Sequence, residues 1–182
     1  VGELKEKVDN KNIQIKSKKI SLSETVQNRT SELNNIYSNI ISYITNKSRY
    51  GSINVSNYNP LVIKPEGIID NGAAMRNLAI IAFDIALLEL ALENNEVGNY
   101  YPKFLIHDSP KHNDMQIEMY KNIFDYLIML ENKYIENGRV FQYIITTLDI
   151  SSSVEKQFKE YVRLTLDNSG DGGKLFGCDV EI

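Results

Sequence analysis

The 182 residues, 42% hydrophobic and 24% charged, have the length and composition of one globular domain, with or without an appendage, and exclude a disordered chain. The single cysteine, Cys178, excludes an intramolecular disulfide and a cysteine zinc site, and a site built on the two histidines, His107 and His112, would need carboxylates as well. The net charge of −4 is uneven: residues 1–50 hold nine Lys/Arg against five Asp/Glu, and residues 51–182 hold eleven against nineteen, so the first segment is mildly basic and has no motif for sequence-specific DNA recognition.

The chain opens on Val1 with no basic n-region and apolar h-region, which reads as an excised fragment of a cytoplasmic protein. From Leu22 the seam positions step by four and three through Val26, Arg29, Leu33, Ile36, Ile40 and Tyr43, a heptad pattern with one charged intrusion. Ser21, three residues before Glu24, is placed to cap that helix. Leu4, Val8 and Ile15 continue helical spacing in a different phase, as the same helix past a stutter or as a separate piece. The domain reading is a coiled-coil stub over residues 1–46 and a second domain over 47–182. The seam needs a partner helix, and no matching second seam follows nearby.

Beyond Asn46, Tyr50 to Val55 alternates with period two as a strand, and Leu61-Val62-Ile63 reads as another. Gly72 opens a helix from about Ala73 to Asn94, apolar nearly all round and therefore buried. Asp84 and Glu89 interrupt its apolar run, Leu78 to Leu92, which is too short to cross a bilayer. Lys103 to His107 reads as a buried parallel strand, and Met115 to Asn137 as a helix with Ile117, Ile123, Phe124, Leu127, Ile128 and Leu130 inward and Gly138 at its C-cap. Val140 to Thr146 is a second core strand, Val154 to Leu164 a short helix and Leu175 to Val180 a final strand. Strands alternating with helices predict an α/β fold with a parallel sheet flanked by helices.

In such sheets ligands gather at the carboxyl ends of the strands. Asp108 stands at one such end after four apolar residues, where a carboxylate suits a magnesium ion that keeps most of its water shell. Thr146, Thr147 and Asp149 stand at the end of the next strand. The plainer alternative is that these polar residues only begin loops.

Phe104-Leu105-Ile106-His107-Asp108 resembles a Walker B strand, and Ser109-Pro110-Lys111-His112-Asn113-Asp114 resembles the start of a D-loop. Tyr143 to Asp149 resembles the strand that ends in the switch histidine of ABC ATPases, and Asp70 to Leu78 stands where those proteins carry the signature motif. The order over residues 20–182 resembles the C-terminal lobe of an SMC- or RecN-like ABC ATPase head of an uncharacterised bacterial subfamily. That resemblance implies an incomplete ATPase acting non-specifically on DNA in repair, defence or chromosome maintenance, and no membrane partner. ATP and Mg2+ would bind only in a complete head dimer, with a Walker A lobe supplied upstream and a second head protomer. By that resemblance Asp108 would hold Mg2+. Asp108 and Ser109 would stand at the chemistry, and Asn71, Gly72, Asn113, Asp114 and Thr147 would contact nucleotide.

The chain departs from the family pattern in three places: the signature region lacks the usual Ser-Gly-Gly core, Ser109 replaces the usual Glu and Leu148 replaces the switch histidine. No G-x-x-x-x-G-K-[ST] occurs in residues 1–182, as in the C-terminal lobe of a split head. The fragment alone is therefore expected to bind ATP weakly or not at all. Two other readings follow from the same residues: a non-catalytic scaffold of this fold assembling through head and coiled coil, and a metal-dependent nuclease or phosphatase using Asp108, Asp114 and Asp149.

Overall fold

A computed structural model of the chain describes residues 2–54, 56–93, 101–108, 115–147 and 152–165. By compactness the chain divides into Val1–Thr147 and Leu148–Ile182. The first unit contains α1 (Gly2–Ile44), β1 (Tyr50–Asn54), β2 (Asn59–Ile63), α2 (Ala73–Glu93), β3 (Phe104–Asp108), α3 (Ile117–Ile135) and β4 (Gln142–Thr146). The second contains α4 (Ser152–Gln157) and a 3-10 turn, Lys159–Tyr161. The expected strand over 175–180 lies outside the described residues.

The helix α1 is continuous over 43 residues, which corrects two expectations. Ser21 is not a cap but an interior residue whose carbonyl accepts a hydrogen bond from the Thr25 hydroxyl at 2.9 Å. Nor is there a stutter, because Val8 and Ile15 precede Leu22 by two steps and one step of seven and so share its phase. The stripe is buried only in its second half, where Leu33, Ile36, Tyr37, Ile40 and Ile44 enter the core. Asn46 and Lys47, both at positive φ, end the helix, and Lys47 N–H reaches back to the Ser42 carbonyl at 2.7 Å.

The helix α2 buries Leu78, Ile81, Ala82, Ile85, Ala86 and Leu88 among its neighbours, as an all-round apolar sequence requires. β1 and β2 pair antiparallel, β1 packing on α1 and β2 on α2, with Ile53 and Val62 in the shared core. Gly51 is needed at that crossing: a Cβ there would lie 2.7 Å from Tyr37 Cδ1 and Cε1. Asn34 Oδ1 accepts the Ile53 N–H at 2.8 Å, and Asn122 Nδ2 donates to the Ile44 carbonyl at 2.9 Å, so polar bonds tie α1 to β1 and to α3.

The helix α3 presents Tyr120, Ile123, Tyr126, Leu127, Leu130 and Tyr134 inward, whereas Ile117 is exposed. Tyrosines do much of the work expected of aliphatic residues, their rings buried like hydrocarbons. Gly138, at φ 66, lets the chain turn after α3, and its N–H bonds the Ile135 carbonyl at 2.9 Å. Arg139 then donates to the carbonyls of Leu92 and Glu93 at 2.6 and 3.0 Å, capping the negative end of α2. Among the described residues, no helix is long and apolar enough to cross a membrane.

Candidate functional site

β3 and β4 pair in parallel, with Phe104 opposite Gln142 and Asp108 opposite Thr146. Alternation along both strands turns Leu105, His107, Tyr143 and Ile145 inward and Phe104, Ile106, Asp108, Gln142, Ile144 and Thr146 outward. Leu105 packs with Leu88 and Leu92 near the end of α2, while His107 meets Asp84 in its middle. β3 therefore runs back along α2, and its carboxyl end is directed toward the helix's first half.

At that end the Thr146 hydroxyl donates a short hydrogen bond to Asp108 Oδ1. Two strand ends thus bring a carboxylate and a hydroxyl together, as their register requires. The outward face behind them is apolar: Phe104, Ile106 and Ile144 are all exposed, Ile106 to 55%. Parallel sheets are ordinarily covered on both faces.

The inward face carries a polar chain that sequence reasoning did not find. The Nδ1 of His107 lies 2.6 Å from the Tyr143 hydroxyl and its Nε2 lies 3.0 Å from Asp84 Oδ2. Asp84 as a carboxylate can only accept, so Nε2 carries the ring proton. Burial pushes the Tyr143 phenol well above its ordinary range, so it keeps its proton and donates to Nδ1. The ordering Tyr–OH, imidazole, carboxylate gives each member a partner. Its one sequence signal was Asp84 itself, a carboxylate interrupting an apolar helix. The other interruption, Glu89, is buried (6% exposed) and accepts from the Tyr126 hydroxyl at 2.6 Å and Lys133 Nζ at 3.0 Å. Burial works against the Lys133 charge, but its neighbours Tyr134, Glu89 and Glu93 carry its ammonium above the usual lysine range. This second network joins α2 to α3.

Among the described residues, the other expected site residues are not gathered at Asp108. Thr147 is half-buried, its side chain beside the Tyr120 phenol. Asn71 and Gly72 are exposed at the start of α2, where the Asp70 carboxylate stands beside them. Asp70 Oδ1 accepts the Gly72 N–H at 3.3 Å and Asp70 Oδ2 accepts from Arg49 Nε at 3.0 Å. Burial works the other way, yet the Arg49 guanidinium and the Gly72 amide hold the Asp70 carboxyl below the usual range. A carboxylate at the helix start competes with any incoming phosphate. Ser109, Asn113, Asp114, Leu148 and Asp149 lie outside the described residues.

As a metal centre, the Asp108–Thr146 edge offers hard oxygen donors. Among the described residues no three His, Cys, Asp or Glu side chains converge as a cage. One carboxylate beside a hydroxyl fits magnesium, which keeps its waters and takes further oxygens from a bound phosphate, better than zinc.

The chain belongs to the family described as an uncharacterised protein conserved in bacteria (DUF2326), whose model matches residues 33–180. No curated protein shows significant similarity to it. The family match corrects the resemblance drawn from the motif order: the chain is assigned to this family, and nothing indicates an SMC- or RecN-like ATPase lobe. The physical reason is the weakness of the motifs. Four apolar residues before an Asp describe many buried strands, and the helix start that resembles a signature motif has the Asp70 carboxylate beside it.

Proposed function

We propose that the carboxyl edge of β3 and β4 is one half of a magnesium–phosphate site in a nucleotide-hydrolysing protein, the other half coming from chain outside residues 1–182. The observation that carries this reading is the hydrogen bond between Thr146 and Asp108 at adjacent parallel strand ends. It fixes the carboxylate on a rigid edge, facing outward, where phosphate oxygens would complete the coordination of Mg2+. Mg2+ bound there would neutralise charge on a transferring phosphoryl group.

The uncovered apolar face supports the second clause. Phe104, Ile106 and Ile144 share their side of the sheet with Asp108 and Thr146. The element that covers those side chains also closes over the carboxylate, so burying the face and completing the site become one event. In this reading a phosphate-cradling G-x-x-x-x-G-K-[ST], which residues 1–182 do not contain, would come from the covering element. This chemistry belongs in the cytoplasm, with ATP and Mg2+.

The test is Mg2+-dependent ATP hydrolysis by the complete polypeptide, wild type against Asp108→Asn, which keeps an acceptor for Thr146. A rate loss of about 100-fold or more at unchanged thermal stability is expected. Equal rates, or no hydrolysis by the wild type, would sink the reading.

A further inference from the structure

The first half of α1 is a rod standing in solvent. Residues 6–28 are all exposed, whereas Leu33 begins the buried part. At about 100° per residue, Val8, Ile15, Leu22 and Val26 lie in the same arc as Leu33, Ile36, Ile40 and Ile44. One stripe, apolar except at Asn12, Lys19 and Arg29, thus runs along the helix and is covered only over its second part. Leu22, 65% exposed, is among the most exposed large hydrophobics of the chain.

The charges beside the uncovered part are basic with one exception, Asp9. In heptad register with Leu22 and Val26 in the seam, Lys19 occupies a seam position, Lys11 and Lys18 line one flank and Lys16 the other. Glu6 and Glu24 stand on the far side, and of the acids only Asp9 reaches a flank. All these residues are exposed. Ile13 and Ile20 also lie on the far side and form no stripe.

From this pattern we infer that the exposed half of α1 docks a partner helix with an apolar heptad seam and Glu or Asp on its flanks. A second copy of this chain does not fit. In a parallel pair each Lys19 would face its own equivalent and Lys11 would meet Lys16 of the other helix; in an antiparallel pair the Lys11–Lys18 flanks would face each other. A bilayer surface fits no better. The stripe is narrow, four aliphatic side chains without an aromatic, where a surface-seeking helix presents a broad apolar face. Its continuity with the stripe that already seats α1 in the core favours a helix as occupant. The inference is independent of the chemistry at Asp108.

The probe is a synthetic peptide about four heptads long, with Leu and Ile in the seam and Glu on both flanks, titrated into the 182-residue chain by fluorescence anisotropy. Binding is expected, with about tenfold or greater weakening from low to high salt. A Leu22→Ser/Val26→Ser variant should lose it at unchanged melting temperature. A Lys18→Glu/Lys19→Glu variant should reject the Glu-flanked peptide and accept a Lys-flanked one. Four outcomes would overturn the inference: no binding, equal binding by a Glu-rich peptide whose seam is replaced by Ser, a dimer of the chain alone in light scattering, or sedimentation with phosphatidylserine vesicles through the same Leu22 and Val26.

Discussion

The two halves of α1 carry the same stripe and live in different surroundings. In Leu33–Ile44 it is sealed by β1, α2 and α3, with Asn34 and Asn122 adding polar ties. In residues 6–28 it faces water. Heptad spacing therefore specifies which face a helix will bury but not whether anything is there to bury it. The family match begins at Leu33, the residue where burial begins. Docking by the exposed half is accordingly a property inferred for this chain and not for the family.

Substitutions that should be severe in one half and silent in the other sharpen this contrast. The largest effect is expected from Ile40→Ala, which hollows a fully buried site and should cost about 2–5 kcal/mol in urea unfolding. A loss below about 1 kcal/mol would break the claim that this half is packed. Next is Gly51→Ala, where the new methyl would strike the Tyr37 ring; a loss of about 1–3 kcal/mol is expected from the melting curve.

A smaller effect concerns the ion pair just past the end of α1. Because the folded Asp70 carboxyl sits below its ordinary value, its contribution is full above about pH 4 and is lost as pH falls through the lowered value. Asp70→Asn should lower stability at neutral pH by about 1 kcal/mol or less and flatten that acid dependence; an unchanged acid limb in the urea midpoint would contradict the pairing. The smallest is Leu22→Ala, expected to shift stability by no more than about 0.5 kcal/mol. A larger shift would mean that the exposed half is seated after all.

The strand and helix order over residues 50–146 was legible because each element has its own signature. β1 alternates, α2 is apolar all round, β3 is a short apolar run before Asp108, and Gly138 marks the end of α3. The parallel pairing of β3 with β4 followed from their alternation with helices. What could not be read was side-chain partnership at a distance. Nothing local tells that Asp84 will meet His107 or that Arg49 will meet Asp70, since each bond joins residues more than twenty positions apart. Reliance on aliphatic residues hid the buried tyrosines of α3. The Asp108–Thr146 pair was half legible: both strand ends were recognised, but not that the two side chains would bond.

Gly51 and Tyr37 have a consequence for how the sequence can drift. The ring occupies the volume a side chain at 51 would need, so neither position is free to change alone. Replacing Tyr37 by Phe removes only the hydroxyl and leaves the Cδ1 and Cε1 carbons in the way. Room for Ala at 51 needs the residue at 37 to lose its ring and Ile41 Cγ1, 3.0 Å from the same Cβ, to give way slightly, and a shrunken residue 37 leaves a void that growth at 51 can fill. The two positions are coupled as a volume-exchanging pair. Homologous sequences should show them changing together, large with small, more often than separately.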